Sequence, residues 1–362
     1  MSRKINQVEP NISEEDIQKV NDYMSSGAWI TEHALTKELE KKIADFVDRK
    51  YAIAVPNGTI AIYLSLLAAG LTKGKRVAVP NITMIATINA ILWAGAEPVI
   101  IDLNERLCMS IKSLQTVEKL DGVIYVPLNG RTEDGIAIEE YCNEKDIILI
   151  EDSAHALGSQ YQDKMCGSLG RMSVFSFTPH KIITMGQGGL VLTDEDNLYE
   201  YLIELKTFNR SKDRSDWHDG FGLNFKITDL QSALGLSQFE KINDFIKIKK
   251  EMFQLYKNKI SGYKFINFFD YETPWFIDLI CESERDRDNL KDLLERQDIL
   301  TRESYPALSK QSFLQSVEKT SLKFSENISE NILWLPSSTN LTKNQIEQVS
   351  DKIEISDLAK GF

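Results

Sequence analysis

YAIAVPNGTIAIYLSLLAAG, residues 51–70, reads as a short apolar strand, a turn on Pro56-Asn57-Gly58-Thr59, and an apolar helix. A run of apolar residues without polar alternation is what a strand buried on both faces shows. The unit recurs downstream. RVAVP (76–80) leads into TMIATINAILWAG, and EPVIID (97–102), GVIYVPL (122–128) and IILIED (147–152) follow, separated by helical or loop segments. Short strands flanked by helices predict βαβ units, an α/β class and a mostly parallel sheet flanked by helices. MSVFSF (172–177) and GLVLTD (189–194) add two strands with only a tight glycine-bearing turn between them.

Upstream, the first forty residues read as helical, and ELEKKIADFVD (38–48) repeats its apolar positions at helical spacing. Downstream of Leu230 the chain turns strongly helical, through LQSALGLSQFEKI and FIKIKKEMFQLYKNKI. KFINFFD, TPWFIDLICE and a helix near Arg287–Gln297 then alternate as a small α+β domain would. The expected division is a large domain over residues 1–240, with its N-terminal helical segment, and a small C-terminal domain over 241–362.

Composition limits the function classes. The 362 residues are 42% hydrophobic and 27% charged, which suits a folded core and excludes disorder. With 42 Lys+Arg against 54 Asp+Glu, the formal charge of −12 argues against a nucleic-acid surface. Cys108, Cys142, Cys166 and Cys281 are scattered without a CxxC pair, so neither a disulfide frame nor a metal site is expected. The start, MSRKINQVEPNISEEDIQKV, has no apolar signal-peptide region. The apolar stretches 59–71 and 82–96 fall short of the ~20 residues of a membrane span. A cytoplasmic protein with no membrane partner is expected.

Four places bear chemistry. Pro56-Asn57-Gly58-Thr59 opens a helix, whose free N–H groups and positive dipole end suit a phosphate. An Asn or Thr cap explains the same residues without a ligand. Asp152 and His155 leave the strand IILIED at its C-terminal end, where open α/β sheets bind ligands. A buried carboxylate there needs a partner, and a protonated heterocyclic nitrogen is suitable. Asp152 as a cap and His155 as a surface histidine fit equally well. Lys181 follows FSFTPH and precedes a glycine-rich turn, where desolvation would lower its pKa and free a nucleophilic amine. The Ser176 and Thr184 hydroxyls suit a phosphate, whereas a solvated loop lysine is the alternative. Lastly, Thr228 caps a helix in GLNFKITDLQ (222–231), but capping leaves the preceding Gly-x-Asn-x-Lys unexplained.

Together the four fit pyridoxal 5′-phosphate, which needs a lysine for covalent attachment, a carboxylate for its pyridine nitrogen and donors for its phosphate. No G-x-G-x-x-G or P-loop competes.

The ordered strings PNGT (56–59), EDSAHALG (151–158), FSFTPHKIITMGQGGLVLT (175–193) and GLNFKITDLQSALG (222–235) resemble the DegT/DnrJ/EryC1/StrS family. The likeness runs from Gly27 to Gly235, with a weaker match in TRESYPAL (301–308) and ILWLPSSTNLT (332–342). These are fold type I, pyridoxal-phosphate-dependent aminotransferases acting on nucleotide-linked keto-sugars. The resemblance implies that Lys181 bonds to the cofactor and shuttles the proton, Asp152 pairs with the pyridine nitrogen and His155 approaches the phenolic oxygen. It implies phosphate contacts from Gly58, Thr59 and Ser176, and from Asn224 of a second subunit, hence an obligatory homodimer. It also implies L-glutamate as amino donor and a keto-sugar as acceptor, for surface polysaccharide, lipopolysaccharide or antibiotic sugars. A dehydratase branch replaces the lysine by histidine. Here His180 is adjacent, but Lys181 holds the lysine position.

Two departures concern the substrate more than the cofactor. Where the family stacks an aromatic on the ring, this chain has Met84, in PNITM (80–84), whose thioether also packs on a ring. The family's P-V-H-x-Y-G loop is Pro127-Leu128-Asn129-Gly130-Arg131 here. A small phosphorylated ketone or a keto-sugar without nucleotide is therefore an alternative acceptor. Arg131 and Arg210 are candidates for an anionic part of the substrate, and Trp217 and His218 for the rim of the site. A solvated surface role suits each of these four as well.

Overall fold

The computed structural model describes residues 4–358. Helices α1 (Glu14–Ser25) and α2 (Ala34–Val47) precede the expected alternation. It runs β1 (Tyr51–Val55), α3 (Gly58–Ala68), β2 (Arg76–Pro80), α4 (Ile85–Trp93), β3 (Glu97–Ile101), α5 (Ile111–Leu114), β4 (Gly122–Tyr125), α6 (Gly135–Lys145) and β5 (Ile148–Asp152). A hairpin of β6 (Gln160–Tyr161) and β7 (Lys164–Met165) leads to β8 (Met172–Ser176) and β9 (Gly189–Thr193). Three helices follow: α7 (Asp196–Lys206), α8 (Asp229–Glu240) and α9 (Ile242–Lys259). The remainder comprises β10 (Lys264–Phe265), β11 (Ile277–Ile280), α10 (Glu284–Glu295), β12 (Arg302–Glu303), β13 (Glu318–Lys319), α11 (Lys323–Ile328), β14 (Ile332–Leu335) and α12 (Lys343–Leu358).

The large sheet has eight strands in the order β1-β9-β8-β5-β4-β2-β3-β13. From β8 to β13 all neighbours are parallel, and only β9 runs antiparallel to its two neighbours. The apolar runs behave as read. Ile53, Val79, Ile100, Ile124 and Ile150 are buried in one core with residues of α3 and α4. Burying such a side chain contributes about 1.5–3 kcal/mol, and the alternate residues Ala54, Ala78, Val99, Val123 and Leu149 are buried in separate cores.

A second, antiparallel sheet, β10-β11-β14-β12, packs against α9, α10 and α12 through Phe253, Leu294 and Val349. Two segments cross the expected division at residue 240. Ile5 bridges Ile299 beside the small sheet, and Ser337 N donates to Gln7 O at 2.7 Å. In the other direction, β13 joins the edge of the large sheet at β3. Among the described residues no helix is long and apolar enough to cross a membrane.

The topology positions the site. The parallel strands β2, β5 and β8 end on one side of the sheet, at Pro80, Asp152 and Ser176, and antiparallel β9 begins there at Gly189. β8 and β9 pair directly, Ser176 opposite Gly189. The connection between them is longer than the tight turn expected and carries Lys181 over the strand ends.

Candidate active site

The turn after β1 does both things its sequence allows. Asn57 caps α3, accepting from Ile60 N at 3.0 Å. Its neighbours Gly58 and Thr59 also line a cavity of about 650 Å³. Close approach explains the glycines on either side. A Cβ on Gly58 would stand 2.9 Å from Ser176 Cβ, and one on Gly189 would stand 2.5 Å from the carbonyl carbon of Asn57. The free N–H groups of the first turn of α3, with the Thr59 and Ser176 hydroxyls, would suit an anion at this part of the cavity. Thr184 plays no part in it. Its hydroxyl donates to Phe177 O at 3.2 Å and accepts from Gly186 N at 3.0 Å, which shapes the loop.

Asp152 lines the same cavity and is 4% exposed. Its Oδ2 accepts from the Thr87 hydroxyl at 2.8 Å, and its Oδ1 from Ala154 N at 3.3 Å. Burial pushes this carboxyl up, against the pull of the Thr87 hydroxyl and the Lys181 charge. Lys181 shows the converse. Burial lowers its amine to about 7, Asp152 opposes that shift, and the Arg302 charge adds to it. His155 is held well below its ordinary value, first by burial and then by Lys181, Arg302 and Arg131, so it is neutral. Its Nδ1 is buried without a hydrogen-bond partner.

The second unit completes the walls. Trp275, ahead of β11, packs its ring 3.9 Å from that of His155 and 4.0 Å from Lys181 Nζ, centroid distances in both cases. Tyr305 adds its ring 5.9 Å from His155. Arg302, on β12, faces the cavity from an exposed position and forms no ion pair among the described residues.

The structure thus brings Gly58, Thr59, Met84, Asp152, His155, Ser176 and Lys181 together around one cavity. It separates the rest. Arg131 is not a substrate contact: it is fully buried, with Nη1 2.7 Å from Asp278 Oδ2 and its guanidinium over the Phe268 ring. Arg210 and His218 bridge one another in an outer loop, where Trp217 is 51% exposed, and none of the three lines the cavity. Asn224 is exposed, paired with Thr207, and also outside this cavity's lining. Thr87, Trp275, Arg302 and Tyr305 escaped the sequence reading. Thr87 is signalled as a polar residue within an apolar helix, and Arg302 and Tyr305 lie in TRESYPAL.

Comparison with known proteins gives this arrangement its context. The model of the DegT/DnrJ/EryC1/StrS aminotransferase family matches residues 10–354. The chain belongs to this family. GDP-perosamine synthase of Escherichia coli O157:H7 is 31% identical over 357 residues, covering 95% of this chain and 96% of that protein. The solved structure of Helicobacter pylori PseC, an aminotransferase involved in the biosynthesis of pseudoaminic acid, superposes with a TM-score of 0.92. It is 21% identical and covers 99% of this chain and 100% of that one. The PLP form of Streptococcus pneumoniae Spr1654, a putative sugar aminotransferase in its own description, gives 0.90 at 22% identity, over 98% and 99% of the two chains.

The fold is accordingly that of fold type I aminotransferases, and the chain is an aminotransferase of the pyridoxal-phosphate-dependent family. The residues present fit that cofactor. A buried carboxylate, an unpartnered buried imidazole nitrogen, a lowered lysine and a glycine-bordered helix start line one cavity. Bound, the cofactor supplies an electron sink for the carbon that loses and gains the amine.

Proposed function

We propose that the chain moves an amino group from L-glutamate to the keto group of a nucleotide-linked deoxysugar, for surface polysaccharide, lipopolysaccharide or antibiotic sugars, as a cytoplasmic homodimer. The observation that carries this reading is the whole-length likeness to a GDP-perosamine synthase in a chain that keeps Lys181 beside the carboxylate of Asp152.

In this reading Lys181 holds the cofactor covalently and, once free, carries the proton between the cofactor carbon and the sugar carbon. Asp152 keeps the pyridine nitrogen protonated, and neutral His155 approaches the phenolic oxygen. Gly58, Thr59 and Ser176 bind the phosphate, and Met84 lies against the ring. Arg302 takes an anionic group of the substrate, because a guanidinium fork matches carboxylate or phosphate. Asn224 reaches the phosphate of a second subunit. Support for that comes from its surroundings: Phe221 is 73% exposed and Trp93 54% exposed, with Trp93 edge-on to Phe225. Exposed apolar surface of this kind suits burial against another copy.

Lys181 also favours transamination over the dehydration of the family's histidine branch. The test is the half-reaction with L-glutamate, read as bleaching of the yellow protein. A panel of keto-sugar nucleotides and of free and phosphorylated ketones follows, read by mass. Failure to bleach would overturn the donor. A product on a non-nucleotide ketone alone would overturn the acceptor.

A further inference from the structure

A lysine that is bonded to the cofactor for part of a cycle must be stored for the rest of it. The structure contains a surface suited to that. The centroid of the Trp275 indole lies 4.0 Å from Lys181 Nζ, and the residue is only 4% exposed. An indole face attracts an ammonium more strongly than the other aromatic rings do, and more so out of water.

The ring is tied by one bond of its own, and the backbone that carries it by two more. Its Nε1 donates to His180 O at 2.7 Å, which ties it to the residue next to Lys181. Its backbone N donates to Asn129 O at 3.0 Å. Asn129 is itself held by donating to both oxygens of Asp278, at 2.9 and 3.1 Å. The Trp275 carbonyl accepts from Lys249 Nζ at 2.6 Å, and that fully buried amine also donates to Ser337 O. The backbone at 275 is therefore fixed in place, and the indole bond to His180 O sets the ring's orientation beside Lys181.

The geometry points to Trp275 as a positioning residue: a wedge from the small domain whose indole receives the Lys181 side chain when it is released from the cofactor, and steadies it as the ammonium while it carries the proton. The inference rests on Lys181 as the attachment residue, which the absorbance of Lys181→Ala tests separately. A variant that keeps the wild-type absorbance removes that foundation.

The wedge is tested on the holoenzyme by titration with methylamine, which competes with Lys181 for the cofactor and is followed by absorbance. Run below neutrality, where released Lys181 is an ammonium ion, the exchange swaps one ammonium for another, so no proton or electron is left over. Stabilising the released lysine makes displacement easier. Trp275→Met, which fills space without a ring, is therefore expected to need about two- to thirtyfold more methylamine. Trp275→Phe, which keeps a weaker ring, should show a smaller rise in the same direction. General loosening of the site moves the midpoint the other way, because a poorly held lysine is easier to displace. An unchanged or lowered midpoint in both variants overturns the proposal. Trp275→Phe decides it alone if Trp275→Met fails to fold.

Discussion

Burial sets the working range of Lys181. An ordinary lysine titrates near 10.5, whereas this amine is lowered to about 7, with Asp152 opposing the shift and Arg302 reinforcing it. Only the neutral amine attacks an aldehyde, and the ammonium form dominates below the pKa. Uptake of pyridoxal phosphate by the cofactor-free protein should accelerate as pH rises through neutrality and then level off. The check is the growth of visible absorbance after rapid mixing; a rate that keeps rising far into the alkaline range would place the amine in water. The strand-like runs ahead of Lys181 and Asp152 made both candidates, since strand ends in an α/β sheet face ligands. A loop lysine and a capping carboxylate read the same way until the resemblance of EDSAHALG and FSFTPHK is added. Trp275 and Arg302 were not candidates, because they enter from the other unit and no periodicity links them to the strands they face. Arg131 misled for a related reason. Its guanidinium reads as a ligand fork until the buried carboxylate of Asp278 is seen beside it.

That pairing organises whole elements. Asp278 sits in the middle of β11 and accepts from Asn129 of the loop after β4 and from Trp334 of β14, at 2.7 Å in the latter case, besides meeting Arg131. One carboxylate thus ties the large sheet's loop to two strands of the small sheet. Leaving one member of a buried pair alone costs about 3–5 kcal/mol. Arg131→Leu should lower the midpoint of urea unfolding accordingly, while the folded enzyme keeps its KM for the acceptor. An unmoved midpoint with weakened acceptor binding would return Arg131 to a substrate role. The strands themselves were readable, since Ile53, Val79 and Ile124 each belong to an unbroken apolar run. Their pairing was not. That β9 inserts antiparallel between β1 and β8 depends on register, and the glycines that permit it, Gly58 and Gly189, show their purpose only when Ser176 and Asn57 are in contact range.

For the whole molecule, the question is whether one chain suffices. If Asn224 serves the site of a second copy, Lys181→Ala and Asn224→Ala damage opposite halves of a shared site. Each variant alone should have little activity. Equal mixing after dissociation and reassembly should restore about a quarter, because half of the dimers are mixed and each holds one intact site. The assay is turnover before and after mixing, with light scattering to follow the dimer. No recovery from a properly mixed dimer would place Asn224 outside the site. The two crossings of the fold bear on how such a chain is made. Ile5 finds its bridge partner only at Ile299, and the exposed edge at β3 is covered only by Glu318 and Lys319. Both partners lie hundreds of residues from the segments they meet, so these contacts are among the last to settle. The large sheet keeps an open flank at β3 until β13 is in place, and pairings so distant in sequence close slowly. A fragment ending at residue 240 would lack β13 and leave the large sheet one strand short, whereas residues 241–362 hold all four strands of the small sheet.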